Sequence, residues 1–354
     1  MSHKLMLKAI NGEIETDYLA DQIIEGGSYG VVCSATQIKS GERVAAKMLL
    51  NPVDHSTNLK FTYREILYLS KTRHNNLIQL VDIMTSNKSA QQLKNIVLIF
   101  PLMDLTLTNA ITSYFPSLCQ ANKRIIVRMY TYQILCGLNY LHKCGIFHRD
   151  LKPANIGVKK DEHNRPFDIY IMDFGMARNI DDNSLTSNVT TPLYMAPEMV
   201  LNRRYDEKVD IWSLGCILVE MITSKPLIEP EGNEEKVYEA IPNAIKRLFG
   251  DHDPNQYSIQ LRNYFMQQVL APANREWMDE IELVVNCMIV WPQQRLSAQQ
   301  ALDYGIFAEL RDPETEQGLE VSFDEVSCSA NRTNTQWKED IWLLIRQFKQ
   351  SHPL

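Results

Sequence analysis

The stretch His148–Asn155 reads HRDLKPAN, and the apolar strand that follows it ends in Ile171–Gly175, IMDFG. Together these runs put a carboxylate, Asp150, within a few residues of an ammonium, Lys152, and an amide, Asn155, and bring up a second carboxylate, Asp173. A lone aspartate after an arginine is ordinarily a solvated loop charge, and no one of these residues is informative by itself. Their order is. Towards the N-terminus, Lys47 closes the run VAAK, and Glu65 sits in NLKFTYREILYLSK, where Tyr63, Ile66, Leu67 and Ser70 recur at helical spacing.

Around this set the pattern changes once. LMLKAI-NG-EIE reads as a hairpin about Asn11-Gly12, and ADQIIEGGSYGVVCSAT with ERVAAKMLL reads as a second antiparallel set. One helix follows, and two apolar runs, LIQLVDIM and NIVLIF, continue the sheet as far as Pro101-Leu102-Met103-Asp104. Beyond that point RIIVRMYTYQILCGLNYLH and VDIWSLGCILVEMIT are long helical patterns. The expectation is an α+β chain of two lobes, a small antiparallel β-rich one with a single helix and a large, mainly α one, without internal repeats.

Composition narrows the partners. With 354 residues, 45% of them hydrophobic, the chain has material for one large or two medium cores. A net charge of −7 argues against nucleic acid or an anionic membrane as the main partner, since both need a basic field. Seven cysteines without a Cys-x-x-Cys pair resemble neither a disulfide framework nor a zinc cage. MSHKLMLKAI lacks the apolar core of a signal peptide and no later run reaches a membrane span, so the expectation is an intracellular protein, in the cytoplasm and also the nucleus.

VAAK, the helical glutamate, HRDLKPAN, IMDFG and the later Ala196-Pro197-Glu198 together match the protein-kinase signature. The chain resembles a eukaryotic protein kinase over roughly residues 18–350. Through TYREILYL, VDIMTSNKSAQQLKNIVLIFPLM, VDIWSLGCI and the tail FAELRDPETEQ, it is similar to the stress-activated branch of the mitogen-activated protein kinases. The resemblance implies an N-terminal hairpin at 1–17, a small lobe at 18–103, a large lobe at 104–310 and an extension at 311–354 that packs back on the small lobe. It also implies a monomeric serine/threonine kinase using ATP and Mg²⁺. Its partners would be protein substrates and an upstream activating kinase, reached through basic docking peptides.

Roles follow from the same resemblance, because phosphoryl transfer needs positioning and charge neutralisation more than covalent chemistry. Lys47, oriented by Glu65, would hold the ATP phosphates, while Asn155 and Asp173 would take Mg²⁺. Asp150 would accept the substrate hydroxyl's proton, with Lys152 neutralising the transferring group and Thr191 hydrogen-bonding both. Val32 and Ala45 would sandwich the adenine, the Pro101–Met103 backbone would pair with its edge, and Phe100 would stand as a bulky gatekeeper. Glu198 and Arg295 would form a buried ion pair, and His148 would pack with Leu69, Leu80 and Phe174. Asp312, Glu314 and Glu316 would form an acidic docking patch.

Two stretches depart from the pattern. In the phosphate loop, Ile24-Glu25-Gly26-Gly27-Ser28-Tyr29-Gly30, Glu25 stands at the first glycine position, beside Gly26, Gly27 and Gly30, which implies weakened ATP binding. In the activation segment, NSLTSNVTTPLYMAPE, the family's Thr-x-Tyr becomes Thr186-Ser187-Asn188. Thr186 is left as the phosphorylation site, with Arg64, Arg149 and Arg178 as its cationic partners. Pro192 and Met195 replace two family arginines, and Met195 removes the one tied to a preference for proline after the acceptor. A pseudokinase acting as a docking scaffold is the other reading, but a scaffold has no chemical need for Lys47, Glu65, Asp150, Lys152, Asn155 and Asp173 together.

Overall fold

The computed structural model describes residues 17–27, 30–49, 52, 56–85, 88–179, 192–201, 203–227, 263, 275–317, 323 and 332–352. The hairpin expected around Asn11-Gly12 therefore lies outside the described residues. In the small lobe β1 (Tyr18–Gly27), β2 (Gly30–Gln37), β3 (Arg43–Leu49), β4 (Asp82–Met84) and β5 (Val97–Pro101) form an antiparallel sheet in the order β1-β2-β3-β5-β4. Period-two alternation gives this sheet two different faces. Val31, Cys33, Val44, Ala46 and Met48 are buried on one side with Tyr18, Val97 and Ile99. Val32, Ala45 and Lys47, offset by one residue, are half-buried on the other.

Helix α1 (Ser56–Lys71) shares a hydrophobic core with Leu49, Ile83 and Leu98 of the sheet through Leu59, Ile66, Leu67 and Leu69. The run LIQLVDIM does not form one strand. Only Asp82–Met84 joins the sheet; upstream, the Ile78 N–H donates to the Ile171 carbonyl and the Ile171 N–H to the Asn76 carbonyl, each at 2.9 Å. The apolar run is thus divided between the lobes. A backbone spent on the large lobe is not available to the small one.

The large lobe is organised by α2 (Gln120–Lys143) and α3 (Lys208–Thr223), with α4 (Met278–Cys287) packed on α3. Helix α3 is apolar nearly all round and almost wholly buried, the pattern of a central helix. Its C-terminus is held by a cation, since the buried Lys123 ammonium donates to the Ile222 carbonyl at 2.8 Å and lies 3.2 Å from the Ser224 hydroxyl. Strands β6 (Leu105–Thr106), β8 (Ile156–Lys160) and β9 (Pro166–Ile171) make a small sheet beneath the cleft, and β7 (Ile146–Phe147) pairs with β10 (Arg178–Asn179).

The last helix, α5 (Asn334–Ser351), starts in a Thr333–Gln336 capping box. It buries one stripe, Trp337, Ile341, Leu344, Ile345 and Phe348, against α1 and β4. Trp337 lies 5.2 Å from the ring of Tyr63, and the Arg332 guanidinium covers both rings. Glu198 and Arg295 form a two-pronged pair at 2.7 and 3.0 Å, with the guanidinium also over Trp212. Arg295 is 1% exposed and Glu198 4%.

Candidate functional site

Lys47 reaches the cleft from the middle of β3, between the two lobes. Its ammonium is 2.8 Å from a Glu65 carboxylate oxygen and 2.7 Å from one of Asp173. Burial alone would depress this ammonium, but the Asp173 and Glu65 carboxylates outweigh it and hold Lys47 above the usual lysine range. Burial also opposes the Asp173 charge, yet Lys47 prevails and brings that carboxyl down to about 2. Glu65 moves the other way, pushed up by desolvation against the pull of Lys47. The arrangement therefore favours an ionised Asp173, whose side chain is 39% exposed.

The loop below is set by a residue the sequence reading quoted but gave no role. Asp210, near the start of α3, is fully buried and accepts the His148 N–H at 2.8 Å and the Arg149 N–H at 2.9 Å. A third contact, at 2.9 Å, comes from the His142 ring. Burial would raise this carboxyl, but the His142 hydrogen bond leads the contacts that keep it below the usual range. These bonds hold Arg149 at φ 70, in the left-handed region, and Asp173 is also left-handed at φ 62. The signal for Asp210 was its place in VDIW, one helix away from HRDLKPAN.

From that platform Asp150 projects towards the cleft. Its carboxylate lies 3.0 Å from the Lys152 ammonium and accepts from the Asn155 amide at 3.0 Å, while the same amide reaches the Asp150 carbonyl at 2.8 Å. His148 is fully buried; its Nε2–H donates to the Met172 carbonyl at 2.8 Å and its ring meets Phe174 edge-on at 5.7 Å. Leu69 and Leu80 are buried as well. The structure thus brings Lys47, Glu65 and Asp173 together, and separately Asp150, Lys152 and Asn155. Hard oxygen donors at Asp173 and Asn155 fit Mg²⁺, which keeps few protein ligands when phosphates complete its shell. Among the described residues no cluster of three or more metal-ligating side chains exists, and such a site needs none.

The roof of the cleft shows why the phosphate loop tolerates some changes and not others. A Cβ on Gly30 would meet the Met48 carbonyl oxygen at 2.7 Å, so a side chain there is excluded by backbone. At Gly26 the nearest atom is 3.9 Å away. Glu25 pairs across the sheet with Val32, and Val32 with Lys47, so the glutamate shares their cleft-facing side. Ile24 is 51% exposed. Phe100 lies opposite Ala45, half-buried at the rear, and Met103 lies two residues past the end of β5.

Several expected residues fall elsewhere. Thr186 and Thr191 lie outside the described residues, as do the structural details of Ser28 and Tyr29. Arg64, Arg149 and Arg178 are all buried, with Arg149 donating to the Tyr205 hydroxyl at 2.6 Å and Arg178 stacked over Phe61 at 4.9 Å. Met195 is buried, next to Tyr194, whose hydroxyl donates to Glu220 at 2.7 Å.

The docking patch needs a correction. Glu316 is not an open carboxylate: it is 9% exposed, takes Arg311 at 2.6 and 2.7 Å and accepts from the Tyr132 hydroxyl at 2.9 Å. Asp312 and Glu314 are exposed and line a groove of ≈ 1160 Å³ with His74, Gln133, Phe167 and Asp168.

A profile of the protein kinase domain matches residues 18–307. Mitogen-activated protein kinase 12 of Mus musculus is 33% identical over 360 residues, spanning 97% of this chain and 92% of that relative. Mitogen-activated protein kinase 13 of Homo sapiens is 32% identical, over 95% of this chain and 90% of its own. Mitogen-activated protein kinase 14 of Xenopus laevis is 32% identical over 89% and 86%.

Glu25 carries a testable consequence. A carboxylate on the cleft-facing side, near the ribose end of a bound nucleotide, opposes binding of the polyanion across solvent by about 1 kcal/mol. Glu25→Gly is therefore expected to lower the KM for ATP about five-fold, with kcat little changed and the difference shrinking in high salt. Steady-state kinetics at two ionic strengths measure this, and an unchanged KM would mean that Glu25 points away from the nucleotide.

Proposed function

The chain belongs to the protein kinase family and, within it, to the mitogen-activated protein kinases as a serine/threonine enzyme, and from that premise we propose an active kinase switched by one activation-loop phosphate and not directed to proline. The observation that carries activity is the Lys47 ammonium held between Glu65 and Asp173, with Asp150, Lys152 and Asn155 assembled below. When bound, Mg²⁺-ATP supplies the phosphoryl group in a charge-neutralised form. Lys47 holds its phosphates, and Asp173 and Asn155 hold the metal. Asp150 orients the substrate hydroxyl and takes its proton, while Lys152 balances the charge that gathers beside it.

Activation is read from the sequence of the segment. Thr186 is the acceptor, and Arg149, Arg178 and Arg64 are the cations that a phosphothreonine would gather. The paired strands β7 and β10 support this reading, because Arg178 lies opposite Phe147, two residues before Arg149. Transfer from labelled ATP to a generic basic protein tests the whole. Asp150→Asn is expected to lower it about a hundred- to ten-thousand-fold while nucleotide binding persists, and Thr186→Ala to lower it strongly as well. Wild-type protein without transfer would favour the scaffold reading; full activity of Thr186→Ala would move the switch to another hydroxyl.

Substrates and an upstream kinase are implied by the family. We infer that basic peptides dock in the groove beside Asp312 and Glu314, where exposed acids flank an apolar wall that includes Phe167, 47% exposed. Reversing both charges to lysine is expected to weaken a basic docking peptide about five- to thirty-fold, most at low salt. Glu316→Gln is expected to reduce stability instead, by removing the partner of Arg311. Fluorescence titration separates the two, and unaltered binding after double reversal would remove the groove from consideration.

Substrate choice turns on Met195. In proline-directed relatives an arginine here satisfies a backbone carbonyl that an ordinary +1 N–H otherwise meets; proline has no N–H. Met195 is buried and apolar and cannot replace that arginine. An unpaired carbonyl costs about 1–3 kcal/mol, so proline at +1 is expected to be disfavoured about ten- to a hundred-fold. A peptide library phosphorylated by the activated enzyme measures this, and enrichment of Ser-Pro or Thr-Pro would sink the argument.

A further inference from the structure

Gly157, in the first half of β8, has almost no space for a side chain. A Cβ there would lie 2.5 Å from Met103 Cγ, 2.8 Å from Met103 Sδ and 2.8 Å from Met172 Sδ. Both sulfurs thus touch the same point, and they are no further apart than twice the latter distance. Met103 ends the segment after Phe100, which faces Ala45, and Met172 immediately precedes Asp173, which holds Lys47. The two thioethers therefore lie along the cleft between its connecting strand and its ionised carboxylate. Both are half-buried, whereas Met48, Met84, Met176, Met195, Met199, Met221 and Met288 are buried.

The backbone beneath these sulfurs is held by hydrogen bonds. The Met172 N–H donates to the Asn155 carbonyl at 2.9 Å, and its own carbonyl accepts from His148 at 2.8 Å. Gly157 is fixed between Thr106 and Tyr170 in the small sheet. An oxygen added to either sulfur would take up room in the cleft that this reading assigns to the nucleotide. Oxidation to the sulfoxide adds such an atom, and makes a soft apolar group polar.

We propose that Met103 and Met172, seated on Gly157, form a reversible oxidation site through which hydrogen peroxide weakens nucleotide binding. The inference rests on the reading of this cleft as an ATP site. A sulfur lone pair attacks one peroxide oxygen; the S–O bond forms and the O–O bond breaks. Hydroxide leaves and takes the proton from the oxygen now bound to sulfur, giving sulfoxide and water. Sulfur loses two electrons and peroxide gains them. Methionine sulfoxide reductases reverse the change with thiol electrons.

The test uses the full chain, treated with graded hydrogen peroxide and then with dithiothreitol, which restores oxidised cysteines and leaves sulfoxides. Peptide mass spectrometry locates the sulfoxides, and calorimetry with Mg²⁺-ATP gives the affinity. Sulfoxide at Met103 or Met172 is expected to weaken binding about ten-fold or more, since a polar oxygen is forced against the base. Reductases A and B together are expected to restore it. Saturating ATP is expected to protect these two positions but not the half-buried Met129 and Met278, which serve as internal references. The Met103→Leu/Met172→Leu variant, compared with its own untreated form, is expected to change less than roughly two-fold. Three results would overturn the proposal: oxidation of the reference methionines while these two stay reduced, sulfoxide at both with unaltered affinity, or an equal loss in the leucine variant. Untreated protein that binds no ATP would instead remove the nucleotide reading on which the proposal stands.

Discussion

One ammonium joins three parts of this chain that are far apart in sequence. Lys47 on β3 meets Glu65 on α1 and Asp173 after β9, within 2.8 Å in each case. The position of α1 is thereby tied to the cleft, and the cleft to the strand that ends beneath it. Two carboxylates around one half-buried cation are a constrained arrangement: removing the lysine would leave the buried Glu65 carboxylate without its counter-charge and facing Asp173. The helix is also braced from behind. Trp337 of α5 stacks on Tyr63, two residues before Glu65, so the outer face of α1 is fixed by aromatic packing while its inner face is fixed by charge.

The large lobe answers with a constraint of its own. Asp210 is buried at the start of an apolar helix, and a carboxylate there is tolerable only with several donors. It has three, two of them backbone N–H groups of the loop that carries Asp150. Left-handed backbone at Arg149 costs about 1–3 kcal/mol, and these bonds over-determine it. Reactive side chains are thus mounted on a loop, but the loop is mounted on the most deeply buried helix. This explains how a short irregular segment holds Asp150, Lys152 and Asn155 in contact.

Much of this was legible in the sequence, for reasons that can be named. ERVAAKMLL read as a strand and is one, and its side-chain period of two puts Ala45 and Lys47 on the same face. HRDLKPAN and IMDFG identified their carboxylates through their ordered match, with VAAK, the helical Glu65 and Ala196-Pro197-Glu198, to the protein-kinase signature. What escaped reading was decided by partners distant in sequence. Glu316 looked like its neighbours Asp312 and Glu314, but Tyr132 of α2 and Arg311 withdraw it from solvent. The run LIQLVDIM looked like one strand because hydropathy does not record which lobe takes each hydrogen bond. Gly157 gave no signal, since a glycine required by two methionine side chains resembles any other until they are packed.

The departures from the family pattern differ in kind from the residues retained. Lys47 contacts Glu65 and Asp173, and separately Asp150 contacts Lys152 and Asn155, so a change at one residue disturbs the partners in its own group. Glu25 stands at the exposed rim of the roof, with no close packing at its neighbour Gly26. Met195 fills its own site with apolar volume and leaves the bond between Tyr194 and Glu220 intact beside it. Substitutions at such places alter what is admitted to the cleft without moving the groups inside it. Because the two sets are physically separate, Glu25 and Met195 can depart from the family pattern without disturbing the contacts of Lys47 or of Asp150.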